Sequence, residues 1–360
     1  MFQISFAEPE LVINVTRVVV IATLTFIAAF ALTPLLTHFL YKYRFGKSIR
    51  QSAATPIYSK MHAAKAGTPV GGGIIIWGTV LLLALLFWLL DALGMPHAGA
   101  LNFLTRPQTL LPMGALVASA LVGLIDDYLN VRKIGRVAGG GLNMSQRLLL
   151  YTIVASFGAY WFFFKLDWSL IHVPAVGDFE IGWWYVPLFM LVIVATAFSV
   201  NESDGLDGLA GGILMFSFGA YTALAFAIGR IELAMFCAAI VGALLAFLWF
   251  NVYPARFFMG DTGAMSLGTT LGIIAMLTNS ALVLPIIAFP LVLESVSVII
   301  QVTARKVFKR KVFLSAPIHH HFEAKGWPET KVTMRFWIVA AVSAGVGLVI
   351  ALLGQGVVGK

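Results

Sequence analysis

Cysteine is almost absent from this chain, and charge is scarce. Its one cysteine, Cys237, lies inside an apolar run, which excludes an intrachain disulfide and a cysteine-built zinc site. Only 11% of the 360 residues are charged, against about 25% in an ordinary soluble protein. So few charges cannot keep a chain that is 60% apolar in water, and the same composition excludes disorder and collagen. Convincing internal repeats and long linkers are also lacking. The two or three soluble domains that length suggests are therefore replaced by one membrane domain over residues 1–360.

What is present is a series of long apolar runs. A bilayer core takes about 20 residues per helical crossing. Ten runs qualify, near 16–40, 70–90, 109–125, 148–164, 184–200, 210–229, 233–250, 265–278, 282–304 and 335–353, the eighth being short for a span. They are too continuously apolar for barrel strands. The first follows Glu8 and Glu10, not a basic segment, and is too long for a signal core, so it is expected to persist as a helix. The fold class is an all-α polytopic membrane protein of about ten transmembrane helices.

Basic residues orient it. Nineteen of the 24 Lys and Arg fall in the loops after runs 1, 3, 5, 7 and 9, which the positive-inside rule places in the cytoplasm, with both termini outside. The clusters Lys42 to Arg50 and Arg305 to Lys311 read first as topological anchors beside anionic lipid.

The acids follow the same asymmetry. Asp126, Asp127, Glu202, Asp204, Asp207, Asp261, Glu323 and Glu329 lie in or beside cytoplasmic loops, so four loops can bring carboxylates to one place. Such a cluster suits a hard cation, most simply Mg²⁺, bound through oxygen ligands and substrate phosphates. In VGLIDDYLNVRK, Asp126 and Asp127 end the third run and point about 100° apart on a helix, so they would take different roles. In NESDGLDGLAGG, Asn201, Asp204 and Asp207 would share one face if the segment were helical, beside glycines that admit backbone or ligand. A capped helix start explains one of these residues but not three.

FNVYPARFFMGDTGAMSLG places Asn251 and Phe258 near Asp261, which is expected just before a helix N-terminus, where phosphate is favoured. Phe258 reads equally as a ring for stacking on a base or as an interfacial aromatic. His319, His320 and His321 lack the i, i+4 spacing of helical zinc ligands and suit hydrogen bonds to phosphate or sugar. The glycine-rich segment KAGTPVGGG behind Lys65 lacks a P-loop ending. Glu294 is the one carboxylate well inside a run, and an intramembrane acid needs a partner that the sequence does not name.

Together, IDDY, NESDGLDGLAGG, FLWFNVYPARFFMGDTGA and APIHHHFEAKGWPETKVTMRFW resemble the bacterial phospho-N-acetylmuramoyl-pentapeptide transferases. These belong to the polyprenyl-phosphate N-acetylhexosamine-1-phosphate transferase superfamily. The likeness runs from about Lys65 through the last run, and the His-His-His loop with KGWPE resembles the muramoyl-pentapeptide branch specifically. It implies a Mg²⁺-dependent enzyme of the bacterial inner membrane. Phospho-N-acetylmuramoyl-pentapeptide would pass from its UDP carrier to undecaprenyl phosphate, giving lipid I and UMP.

By the same resemblance, Asp126 corresponds to the acid that deprotonates the lipid phosphate, with Asp127 beside it, and Asp261 to the magnesium ligand. Asn201, Asp204, Asp207, Lys65 and Phe258 correspond to the nucleotide-sugar site, and Asn251 and His320 to further active-site positions. The chain departs from the family at Asn130, where Lys is usual, at Glu202-Ser203 for Leu-Thr, and at Val70-Gly71 for Thr-Met. A homodimer is compatible with the sequence, which does not set the oligomeric state, and nothing in it points to nucleic acid. The rival readings are another sugar-phosphate transferase of the superfamily, a transporter, or an inactive scaffold. A transporter would place its ionisable groups near the midplane, not at one face.

Overall fold

The computed structural model describes residues 9–46, 65, 67–106, 108–135 and 140–355. Part of the first basic cluster (Lys47 and Arg50), Ala66 of the glycine-rich segment and Glu8 lie outside the described residues. All ten apolar runs are helical: α1 (Pro9–Lys42), α2 (Gly73–Ala92), α3 (Leu110–Val131), α4 (Met144–Tyr160), α5 (Tyr185–Ser203), α6 (Leu209–Ala227), α7 (Ile231–Asn251), α8 (Gly260–Leu277), α9 (Phe289–Val307) and, after a short α10 (Ile318–Ala324), α11 (Glu329–Gly354). At 1.5 Å per residue, the 34 residues of α1 extend about 51 Å, well beyond a bilayer core.

Among the described residues, eight helices are long and apolar enough to cross a membrane; α8 and α9 fall short for physical reasons. Every residue of α8 except Asp261 is buried, so its threonines and glycines meet other helices instead of lipid. It packs on α3 and α5, and on α2 and α6 more lightly. Gly268 and Gly272 lie directly against Ala197 and Ile193 of α5, the close approach that small residues allow between membrane helices. α9 carries Glu294 and Gln301 inside and Arg305 and Lys306 in its last turn.

One element breaks the all-α pattern. Leu170–Val173 (β1) and Gly177–Glu180 (β2) form an antiparallel hairpin between α4 and α5, with His172 opposite Asp178. Its turn takes positive φ at Ala175 and Gly177. Two four-residue strands are too short to register as apolar runs.

Helix boundaries correct three expectations. α8 starts at Gly260, so Asp261 lies in its first turn and not before it. α3 runs on to Val131, so Asp126 and Asp127 sit within its last turns. α5 ends at Ser203 and α6 begins only at Leu209, so Asn201, Asp204 and Asp207 do not form a helical stripe. Asn201 closes α5 while the two aspartates sit on a tight turn, with Gly208 at φ +75°.

Candidate active site

The loop ends of α2, α3, α5, α7 and α8 meet at one end of the bundle. Residues 69–73 run alongside 258–259. Phe258 N–H donates to Pro69 C=O at 2.8 Å, and Gly72 and Gly73 N–H donate to the Phe258 and Met259 carbonyls, each at 2.8 Å. The glycine-rich segment thus spends these amides on its own chain. Its glycines admit Phe257 and the backbone of Gly263, which lie 2.3 Å from where a Cβ would stand on Gly72 and Gly73. It is a packing element that fixes Phe258 and Asp261.

Asp127 caps α8 from a different helix. Its carboxylate accepts from Asp261 N–H at 2.9 Å and Thr262 N–H at 3.0 Å, where the helix dipole favours negative charge. Asp204 accepts from Gly260 N–H at 3.1 Å one residue earlier. Both acids therefore hold the start of α8 in place.

Asp126, Asp261 and Asn201 converge on one guanidinium, that of Arg147 on the first turn of α4. Arg147 donates from Nε to Asp126 at 2.8 Å, from Nη2 to Asp261 at 2.7 Å and from Nη1 to the Asn201 Oδ1 at 2.9 Å. Asn201 Nδ2 also donates to Asp261 at 2.5 Å, and Leu142 N–H donates to the fully buried Asp126 at 2.6 Å. Three hard oxygen donors thus already surround one cationic centre, which is the donor chemistry Mg²⁺ requires. Among the described residues, no group of three His, Cys, Asp or Glu is placed to hold a metal without further ligands. That suits a cation that takes one or two carboxylates and completes its shell with water and substrate phosphate.

A second cluster surrounds Lys65. Its ammonium lies 2.6 Å from Asp207 and 2.5 Å from Glu329, and 5.8 Å from the centre of the Phe258 ring. Burial opposes its charge, but Glu329 and Asp207 outweigh burial and raise its pKa, so it stays cationic. Glu329 also accepts from Asp207 N–H at 2.7 Å, and Asp207 accepts from Ala255 N–H at 3.0 Å. Asn251 accepts from Gly208 N–H and donates to Phe257 C=O, and so latches the Asp204–Gly208 turn to the Phe258 loop. Trp337 and Thr333 of α11 donate to the carbonyls of Gly208 and Asp207, clamping that turn from the other side.

The three histidines take different partners. His319 is fully buried with Nδ1 2.8 Å from Glu294, which supplies the partner the intramembrane acid lacked in the sequence. Its Nε2 presses on Gly205, 2.3 Å from where a Cβ would stand. Burial alone would lower the His319 pKa, but Glu294, Glu323 and Glu202 together raise it. His320 pairs with Glu323 at 2.7 Å. His321 accepts from Leu314 N–H at 3.1 Å, and burial and Lys325 lower its pKa.

The His319 shift has a stability consequence. A histidine raised on folding stabilises fully below its unfolded value near 6.5, and that contribution is lost as pH climbs through the folded value. The melting temperature of purified protein in detergent is therefore expected to fall as pH rises above about 6.5. Glu294→Gln should lower it at neutral pH and flatten that slope. An unchanged slope in Glu294→Gln would contradict the assignment.

Sequence alone assigns no site role to Arg147, and none to Glu329 beyond its place among the acids at one face. Arg147 counts there only as an inside anchor. Yet it follows an Asn143/Gln146 capping box, and a cation in a helix's first turn opposes the macrodipole unless acids hold it.

Comparison with known proteins identifies the family. The Glycosyl transferase family 4 profile matches residues 109–279, which hold Asp126, Asp127, Arg147, Asn201 and Asp261. The chain is 37% identical over 362 aligned positions to the phospho-N-acetylmuramoyl-pentapeptide-transferase of Chloroflexus aggregans, covering 97% of this chain and 93% of that one. It is 38% identical over 335 positions to the enzyme of that name from Shouchella clausii (91% and 96%), and 35% identical over 328 positions to that of Clostridium perfringens (91% and 96%). With near-complete coverage at these identities, and the four motifs folded into one continuous set of contacts, this multi-pass membrane chain belongs to the phospho-N-acetylmuramoyl-pentapeptide-transferase family.

Proposed function

We propose that this protein transfers phospho-N-acetylmuramoyl-pentapeptide from UDP-N-acetylmuramoyl-pentapeptide to undecaprenyl phosphate in the bacterial inner membrane, giving lipid I and UMP. The observation that carries the reading is the convergence of Asp126, Asp261 and Asn201, from three helices, on one cationic centre at the N-terminus of α8. A phosphoryl transfer asks a protein mainly for positioning and charge neutralisation. Asp261, with the Asn201 amide oxygen beside it, would hold Mg²⁺. When bound, that ion would neutralise pyrophosphate charge and favour departure of UMP.

The chain's own groups do the rest. Asp126 takes the last proton of the lipid phosphate. Lys65 stays cationic beside Phe258, so one meets phosphate while the other offers a ring face to uracil. Asp127, Asp204 and Asn251 position the loop that carries Phe258 and Asp261. His319 supports the Asp204–Asp207 turn from beneath, leaving His320 and His321 nearer to substrate phosphate or sugar.

We favour direct attack by the lipid phosphate over an aspartyl intermediate. Asp261 is tied to Arg147 and Asn201, and a carboxylate whose charge is partly neutralised is a poor nucleophile. Purified protein supplied with Mg²⁺ and each UDP-sugar in turn should release UMP only with the muramoyl-pentapeptide donor and only when undecaprenyl phosphate is present. A stoichiometric UMP burst without lipid, with label on Asp261, would replace direct attack by the covalent route. Equal release from UDP-N-acetylglucosamine would overturn the substrate reading.

The site faces the cytoplasm in this reading. The only native thiol, Cys237, is buried, so labelling has no background. Lys311→Cys, on the exposed segment before α10, should resist an impermeant maleimide in intact cells and react after lysis. Labelling from outside would reverse the topology.

A further inference from the structure

Asp126 and Asp261 approach one another at a buried point, and two like charges there repel. Arg147 resolves that repulsion with all three guanidinium nitrogens: Nε on Asp126 at 2.8 Å, Nη2 on Asp261 at 2.7 Å and Nη1 on Asn201 at 2.9 Å. The backbone beneath is fixed by the Asn143/Gln146 capping box, whereas the side chain is long and flexible. A cation in the first turn of α4 gains nothing from the helix dipole, so the acids hold the guanidinium there and the helix does not.

A divalent metal held by Asp261 and Asn201 would need two of the same oxygens. Magnesium–oxygen distances of about 2.0–2.1 Å leave no room for a guanidinium that spans all three groups. The two cations therefore exclude one another at this point.

We propose that Arg147 is an internal stand-in for the metal: it holds Asp126 and Asp261 together until a divalent cation enters, and then swings from the carboxylates to an incoming phosphate. A guanidinium fork suits that second task, because it binds phosphate oxygens in pairs. The exchange accounts for a base that is fully buried here with both oxygens engaged: Asp126 becomes available only when Arg147 leaves. It also links metal binding to phosphate binding, since each favours the same position of Arg147. The proposal rests on the reading of Asp261 as a metal ligand.

The test is Mn²⁺ binding to the full-length protein in detergent without nucleotide or lipid, read from the loss of the free-ion electron paramagnetic resonance signal. Arg147→Met should bind Mn²⁺ roughly tenfold or more tightly than the natural protein, because the competing cation is gone. Arg147→Lys keeps a charge but cannot span three groups, so it should fall between the two and keeps the test open if Arg147→Met does not fold. Both should lose turnover despite the tighter metal, since the phosphate contact is lost. Asp261→Asn should bind Mn²⁺ poorly.

Unchanged or weaker Mn²⁺ binding in the foldable Arg147 variants, with Asp261→Asn still deficient, would overturn the exchange and leave the metal site standing. Normal Mn²⁺ binding by Asp261→Asn would overturn the metal site, and the exchange with it.

Discussion

Asp261→Asn and Asp126→Asn are each expected to lower turnover by roughly 10³-fold or more while leaving the protein folded. Either change removes one of the two carboxylates that, with the neutral Asn201 amide oxygen, share one cation. The two should fail in different ways. Asp261→Asn loses the ligand placed at the α8 N-terminus, so raising Mg²⁺ should restore little and Mn²⁺ binding should drop. Asp126→Asn should keep metal and nucleotide binding, because Asp261 and Asn201 persist, but the lipid phosphate would lack its base. Asp127→Asn supplies the contrast. Its oxygens serve the Asp261 and Thr262 amides, so the amide variant should behave as a weakened helix cap: about 1 kcal/mol less stable and only partly impaired in turnover. Turnover, Mn²⁺ titration and melting temperature for the three variants decide the matter. Near-normal turnover of Asp126→Asn or Asp261→Asn at saturating Mg²⁺ would count against their roles.

The helices were legible in the sequence because a lipid-facing surface forces long apolar runs, and all ten runs are helical. What hydropathy saw only in part was the polar helix enclosed by others, read from 265–278 as a run short for a span. α8 needs no lipid-compatible surface, and its first turn, Gly260 to Gly263, reads from composition as loop. The acids were legible too, since carboxylates gathered at one face have few purposes. Their arrangement was not. Asn201, Asp204 and Asp207 fit a helical face by spacing, yet the chain turns after Ser203 and sends Asp204 to Gly260 and Asp207 to Lys65. Spacing constrains geometry only while the secondary structure holds. The pairs Glu294–His319 and Lys65–Glu329 join residues far apart in the chain, and no local pattern announces them. Arg147 was hidden for another reason: positive-inside bias explains an arginine in any loop assigned to the inside, so one tied to Asp126 and Asp261 looks ordinary there.

Gly123→Ala is expected to disable the enzyme without touching a charged group. Gly123 lies on α3, one turn before Asp126 and Asp127, where α3 crosses the start of α8. A Cβ there would stand 2.2 Å from the Asp261 carbonyl oxygen, 2.5 Å from its carbon and 2.6 Å from the Thr262 Cα. These are backbone atoms, so no side chain can turn aside and the two helices must part. The seam is held by Thr262 Oγ1 donating to Ala120 C=O at 2.8 Å and by the two amides on Asp127, so parting it strains the bonds that orient Asp261. Overpacking of this kind costs about 1–3 kcal/mol. A displacement near 1 Å between reacting groups costs on the order of 10²-fold in rate. Gly114 provides the control on the same helix. Nothing lies within 4 Å of its Cβ position, so Gly114→Ala should leave turnover intact and, through helix propensity, raise stability by up to about 1 kcal/mol. Melting temperature and UMP release, measured side by side, should place the two alanine variants on opposite sides of the natural protein in stability, with only Gly123→Ala losing activity. Full activity in Gly123→Ala would mean that the α3–α8 seam does not set the distance between Asp126 and Asp261.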